Sequence, residues 1–254
     1  MFNCLQQLPK YWRNRNALTY LLWPIELVYK LVIRLRQGAY ALGIFKQHRL
    51  DATVLVVGNV VSGGGGKTPL TIAIVQRLKA EGYKIGVLSR GYGRSNSSLQ
   101  IVNAQSLANE VGDEPLMIFQ KCDVPVVVGA QRVEAAKYLL QQFPEVRVLV
   151  CDDGLQHIAL QRDIEICVMD NMGLGNGHML PAGPLREPWP RPIDLLLHTH
   201  QRTLPDGFES KRELSTYALT SLGQQLALSS LMSVKVEVVS GIAKPAAFIA
   251  MLEQ

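Results

Sequence analysis

The chain has 254 residues, 48% of them hydrophobic, with a formal net charge of +5, and can bury one large core or two modest ones. Residues 1–50 hold eight Lys and Arg against one acid, Glu26, which leaves 18 Lys and Arg against 20 acids elsewhere. A body without basic excess argues against a nucleic-acid partner, and four scattered cysteines without CxxC spacing predict core thiols in a reducing compartment.

The first 50 residues form a basic N-terminal segment around the run 17-ALTYLLWPIELVYKLVI-33. Pro24, Glu26 and Lys30 interrupt that run, which falls short of the roughly 20 clean apolar residues of a membrane span. Flanking arginines with Trp12 and Trp23 fit a helix lying in a membrane interface, its basic residues facing anionic head groups. The plainer alternative is a helix packed on the body with a solvated basic face. Ala39-Tyr40-Ala41 imitates a signal cleavage site, but Arg34 and Arg36 lie between it and the apolar run and argue against a secretory signal.

From Ala52 onward, short β-rich runs alternate with helical stretches. Strands are expected at 53–60, 84–89, 124–130, 146–152, 164–170 and 193–199, with helices at 68–82 and 131–143. Continuous Val, Ile and Leu runs mark strands covered on both faces, hence a doubly wound, mostly parallel α/β sheet with helices on both sides. The expected core domain spans 51–200, and 201–254 reads as the start of a C-terminal α/β subdomain. There 234-VKVEVVSGIA-243 resembles a late strand leading to a last helix.

At the end of the first strand stands 57-VGNVVSGGGGKTPL-70. Its Gly66-Lys67-Thr68 closes a phosphate-binding loop, although Val61 occupies the place of the pattern's first glycine. Gly63, Gly64, Gly65 and Gly66, with Ser62 before them, still supply consecutive permissive positions for N–H groups to surround a phosphate. Lys67 would reach the β/γ-phosphates and the Thr68 hydroxyl would ligate Mg2+. No Asn-Lys-x-Asp guanine reader occurs, and Ser62 stands where partitioning ATPases carry lysine. Both absences favour ATP and a kinase.

The acids follow. The run 148-VLVC-151 ends in Asp152-Asp153-Gly154, and an apolar strand running into aspartate is how P-loop enzymes hold Mg2+ opposite the threonine. Asp153 would orient water or substrate, and His157 reads equally as its neighbour or as a plain polar residue. In 112-GDEP-115, Asp113 is either a helix cap or the base that takes a hydroxyl proton, and spacing leaves both open. Arg90 and Arg94 in 89-SRGYGRS-95, and Arg186 and Glu187 in 181-PAGPLREP-188, are candidates for phosphate clamps and metal contacts.

Taken together, 58-GNVVSGGGGKTP-69, 89-SRGYGR-94, 112-GDEP-115, 152-DDGLQH-157, 175-GNGHMLPAGPLREP-188 and 240-SGIAKPAAF-248 resemble the tetraacyldisaccharide 4′-kinase family across nearly the whole chain. The resemblance implies ATP- and Mg2+-dependent phosphorylation of the 4′-hydroxyl of an acylated glucosamine disaccharide 1-phosphate at the inner-membrane surface. It gives Lys67 and Thr68 to nucleotide and metal, and Asp113 the role of base. Asp152 and Asp153 would serve metal and active-site geometry, with Glu187 a further acid near the metal.

The family continues into an Asp-His-His segment whose histidine supports the catalytic aspartate. His48, His157, His178, His198 and His200 match no such cluster, so the expectation is a chain shortened at its C-terminus. The competing readings are an inactive ATP-binding fragment and a membrane-docked nucleotide-binding scaffold. A metallochaperone-type NTPase is disfavoured for want of a His/Cys cluster.

Overall fold

The computed structural model describes residues 11–63, 66–95, 97–199, 202–210, 213–232, 234–239 and 245–253. Two compact units divide it, Met1–Glu209 and Ser210–Gln254.

The first unit opens with helix α1, Ala17–Ala41, which runs unbroken through Pro24. Asn16 caps it: its side chain accepts from the Thr19 amide at 3.1 Å, while the Thr19 hydroxyl accepts from the Asn16 amide at 3.3 Å. The core follows in the order β1 (Thr53–Gly58), α2 (Lys67–Ala80), β2 (Ile85–Ser89), β3 (Gln100–Ile101), α3 (Ala108–Val111), α4 (Asp113–Cys122), β4 (Val126–Val128), α5 (Arg132–Gln142), β5 (Val148–Asp152), β6 (Ile164–Met169), β7 (Leu195–His198) and β8 (Phe208–Glu209). The eight strands lie in the order β3-β4-β2-β5-β1-β6-β7-β8. All neighbours are parallel except β3 and β4.

Alternate residues of each central strand enter two separate cores, as the side-chain period of a strand requires. Val54 and Val56 join one core with Ala135, Ala136 and Leu139 of α5, against which Tyr29 and Ile33 of α1 pack. Leu55 and Val57 join the other with Val75 of α2 and Ile118 of α4. The doubly wound, mostly parallel reading is therefore observed, with strands trimmed by one or two residues at their ends. Cys122, Cys151 and Cys167 are buried and free. Burial pushes the Cys151 and Cys167 thiols up to about 12, which leaves them inert at neutral pH.

In the second unit, β9 (Tyr217–Leu219) and β10 (Gln225–Ala227) pair antiparallel, a 3-10 turn covers Leu228–Leu231, and α6 spans Pro245–Leu252. The late strand expected over 234–243 does not form where it is described: residues 234–239 belong to no strand and are exposed. The remainder of that stretch, 240–243, lies outside the described residues. Its alternating pattern has no neighbouring strand to complete a ladder among the described residues.

Glu26, read above as an interruption of an apolar run, is fully buried. Its carboxylate meets Lys30 Nζ at 2.6 Å, His178 Nδ1 at 2.7 Å and the Met179 amide at 2.8 Å. Burial raises its pKa, but these three partners outweigh burial and hold it below the usual carboxylate range. Nearby, the Asn176 amide group donates to the Thr19 hydroxyl at 3.3 Å. The helix is thus fastened by polar contacts placed one and two turns apart. Removing one partner of such a buried cluster leaves the others unsatisfied, so Glu26→Ala is expected to cost about 3 kcal/mol, read as a lower urea midpoint.

Candidate active site

The site forms where parallel strands end. β1 runs into the glycine loop, β2 into Arg90, β4 into Arg132 and β5 into Asp152-Asp153, all at the carboxyl edge where open α/β sheets bind ligands. Gly66 caps α2 with φ of 85°, and Gly63 has φ of 119°; both lie in the left-handed region that glycine tolerates. Gly64 and Gly65 of the expected phosphate cradle lie outside the described residues. Val61 resolves the departure from the pattern. It is buried and bridges antiparallel to Leu185, so its side chain packs rather than lining a phosphate. On either side, the Ser62 amide donates to the Pro184 carbonyl at 2.7 Å and the Arg186 amide to the Val60 carbonyl at 2.7 Å. The proline-rich stretch is thereby zipped to the approach of the glycine loop, and this delivers Arg186.

Lys67 is nearly buried, its Nζ donating to the Gly63 carbonyl at 3.3 Å and lying 3.6 Å from Asp153 Oδ1. Arg186 Nη1 faces the same carboxylate, at 3.1 and 3.3 Å from its two oxygens. Burial alone would raise the Asp153 pKa; Lys67, Arg186 and then Arg132 outweigh it and bring it below the ordinary value. Asp153 adopts φ of 51°, a conformation that costs energy for residues other than glycine and collects at functional sites.

Asp152 points the other way, its Oδ1 accepting from the Thr71 hydroxyl at 3.0 Å. Full burial, then Glu114, push it up to about 7, against the pull of Thr71 and Lys67. Glu114 is itself raised, by the protein packed around it first and then by Asp113 and Asp153, while Lys67 and the Thr68 hydroxyl draw it down. Glu114 belongs to this cluster although sequence reasoning assigned it no role beside Asp113. The only signal was its adjacency to that residue.

Asp113 stands exposed in the first turn of α4, where its Oδ1 accepts from the Glu114 amide at 2.9 Å. Gly112 takes the cap position, without a side-chain cap bond. A Cβ at Gly112 would lie 2.9 Å from Gly91 Cα, so this close approach lets the arginine loop 90–94 pack beside α4. Arg90 is exposed and near enough to Arg132 and His157 to depress both. Arg94 Nη1 donates to the Ser98 carbonyl at 2.6 Å. His157 falls to about 4, from burial first and then Arg132 and Arg90, and is neutral at physiological pH. Arg132, which no motif singled out, is buried with Nη1 on the Gly129 carbonyl and Nη2 3.4 Å from the Asp152 carbonyl.

Glu187 is buried and engaged on both oxygens, by Gln156 Nε2 at 2.7 Å and by Arg191 Nη1 at 2.8 Å. These partners are structural rather than those of a carboxylate kept open.

The residues fit ATP and Mg2+. Asn59 Oδ1 is buried beside the loop with no hydrogen-bond partner among the described residues, and nothing within 4 Å would crowd a side chain at Gly63. Thr68, Asp152 and Glu114 place hard oxygen donors around the start of α2. Among the described residues no group of three His, Cys, Asp or Glu could hold a metal, but Mg2+ is commonly held by one or two carboxylates with substrate phosphates and water. A glycine loop ending in Lys-Thr, facing an aspartate pair across a parallel sheet, defines a P-loop phosphotransferase.

The family model described as tetraacyldisaccharide-1-P 4′-kinase matches residues 18–254. A tetraacyldisaccharide 4′-kinase of Acidovorax ebreus (strain TPSY) is 48% identical over 245 residues, covering 95% of this chain and 72% of the relative. One from Dichelobacter nodosus (strain VCS1703A) is 39% identical over 252 residues, covering 96% and 75%. The crystal structure of LpxK from Aquifex aeolicus in complex with ATP matches with a TM-score of 0.81 and 29% identity, over 93% of this chain and 78% of that one. The chain belongs to the tetraacyldisaccharide-1-P 4′-kinase family.

An acid whose pKa is raised in the fold holds its proton more tightly there than when unfolded. The cost of ionising Asp152 is therefore absent below about pH 4 and complete above about pH 7. Asp152→Asn is expected to raise the nucleotide-free melting temperature by about 5 °C at pH 8. The gain should shrink toward pH 5 in a thermal scan across that range.

Proposed function

We propose that the chain transfers the γ-phosphate of ATP to the 4′-hydroxyl of a tetraacylated glucosamine disaccharide 1-phosphate, giving the lipid A precursor lipid IVA. The observation that carries this reading is the meeting of Lys67, at the start of α2, with Asp153 at the end of β5, beside the acids of α4, in a chain of this family. Bound Mg2+ would offset the charge of the phosphate oxygens. Thr68 and Asp152 are the donors placed to hold it, and Glu114 stands within reach of the Thr68 hydroxyl.

Lys67 exchanges its present hold on the Gly63 carbonyl for the β/γ-phosphates. Asp113, exposed and outside the ion pairs, accepts the proton of the attacking sugar hydroxyl. Asp153, kept ionised by Lys67 and Arg186, sets the geometry between metal and acceptor. Arg90 and Arg94 border the opening on the β2 side, where an anionic substrate would be clamped. Glu187, which the family resemblance places near the metal, supports the site by fixing Gln156.

The acceptor is a lipid, and α1 supplies a surface for one. Tyr20, Leu21, Trp23, Ile25, Val28, Leu31, Val32 and Leu35 are exposed along it, Leu21 at 73% and Leu35 at 64%. The basic residues divide: Arg13 and Arg34 stay exposed, as an outward basic face requires, and three others turn to the protein. Lys30 turns to Glu26, Arg36 donates to the Gln156 carbonyl and Arg15 to the Asn176 carbonyl. The outward face is thus mainly apolar. No described helix is long and apolar enough to cross a membrane. A helix lying in the interface at the cytoplasmic face of the inner membrane accounts for both facts.

Incubation of the 254-residue chain with γ-labelled ATP, Mg2+ and the acylated disaccharide 1-phosphate in detergent should place label in the lipid. Lys67→Ala should leave none, and Asp113→Asn should slow transfer about 10²–10⁴-fold while still binding ATP. Label absent from the wild-type reaction would reject the kinase reading for this chain. Separately, Leu21→Asp with Leu31→Asp is expected to abolish sedimentation with phosphatidylglycerol-containing vesicles. Unchanged sedimentation would remove α1 from the membrane contact.

A further inference from the structure

The carboxylate of Asp153 is held by Arg186, and Arg186 is held in turn by other parts of the chain. Its Nη1 also lies 3.4 Å from Gln156 Oε1. The Gln156 amide is fixed the right way round for this contact, because its Nε2 donates to the Asn59 carbonyl at 3.0 Å and to Glu187 Oε1 at 2.7 Å. Glu187 is held by Arg191, and Arg191 by Glu165. Side chains therefore settle where Arg186 and Gln156 point; the Arg186 amide is held by the Val60 carbonyl at 2.7 Å, and a further element must hold their two carbonyls.

Helix α1 does so. The Tyr29 hydroxyl donates to the Arg186 carbonyl at 2.8 Å, and Arg36 Nη2 donates to the Gln156 carbonyl at 3.1 Å. Tyr29 and Arg36 lie seven residues apart on one helix, two turns and hence one face. The two carbonyls belong to Arg186, which holds Asp153, and to Gln156, which meets Arg186. Neither donor touches the carboxylate, the glycine loop or the acids of α4. Residues 155–160 and 184–192, which carry these carbonyls, form no helix or strand of the sheet, so their position rests on such contacts.

We propose that Tyr29 and Arg36 are positioning residues for phosphoryl transfer, which clamp the main chains of Arg186 and Gln156 from α1 and so fix Asp153. The proposal rests on the reading of Asp153 as part of the transfer site. A carboxylate that must stand within about half an ångström of its working place loses rate when its support slackens. Neither Tyr29 nor Arg36 bonds to the glycine loop, which keeps its own ties to the Pro184 carbonyl and the Arg186 amide in the variants. The variants should therefore lower kcat and leave the KM for ATP alone.

The test uses the full chain as wild type, Tyr29→Phe, Arg36→Gln, Arg36→Lys and the double variant Tyr29→Phe with Arg36→Gln, each assayed for transfer and for amide hydrogen exchange. Tyr29→Phe and Arg36→Gln should each lower kcat about 3–10-fold, the worth of one hydrogen bond. The double variant should lose more than either, the KM for ATP should stay within about twofold, and Arg36→Lys should recover most of the rate. Exchange should quicken at residues 153–157 and 185–187 in the variants and stay as in wild type through β1 and α2. Unchanged kcat, or an ATP KM that rises as kcat falls, would overturn the proposal. So would exchange that quickens evenly over the whole first unit, since that reports a loosened fold. If the wild-type chain transfers no phosphate, the kinase reading fails, and the exchange pattern alone decides whether the clamp exists.

Discussion

The fold brings three carboxylates, Asp152, Asp153 and Glu114, to the ends of neighbouring elements, and everything around them answers that crowding. Asp152 is buried while Asp153 and Glu114 reach solvent, and like charges so close oppose one another's ionisation. Asp153 receives help against this from Lys67 and Arg186. Asp152 has, among the described residues, the Thr71 hydroxyl as its side-chain partner and is pushed up to about 7. A P-loop lysine whose free-state partner is an aspartate is poised to release it when phosphate arrives. The same acids would then face a divalent cation in place of one another. Bound Mg2+ and nucleotide would ease the repulsion among them.

Helix α1 solves a different problem with the same economy. A 25-residue helix with a mainly apolar outer face needs an inner face that fixes its rotation, since apolar contacts alone would let it slide. Glu26 with Lys30, His178 and the Met179 amide gives that fix at one level. Tyr29 and Arg36 give it at the next. Because the last two rest on residues beside Asp153, the seat of the helix and the shape of the site are parts of one arrangement.

Much of this was legible in the chain. Buried parallel strands announce themselves as unbroken Val, Ile and Leu runs, and 148-VLVC-151 ending in two aspartates needed no long-range knowledge to read. What stayed hidden depended on partners distant in sequence. Glu26 looked like a flaw in an apolar run because its partner His178 lies 152 residues away. Val61 looked like a lost glycine because Leu185, which it pairs with, belongs to another motif. The two-residue strands β3 and β8 are too short to show a period. Residues 234–239 have a strand's alternation but, among the described residues, no strand to bond, which shows that pattern alone does not make a ladder.

The central claim is that the site holds a surplus carboxylate proton that the metal-bound nucleotide displaces. Calorimetric titration of Mg-ATP into the chain at pH 7, in two buffers of different ionisation enthalpy, measures it directly. Because burial pushes Asp152 up to about 7, binding should release protons, and Asp152→Asn should release fewer. Proton uptake on binding, or the same release from the variant, would contradict the account.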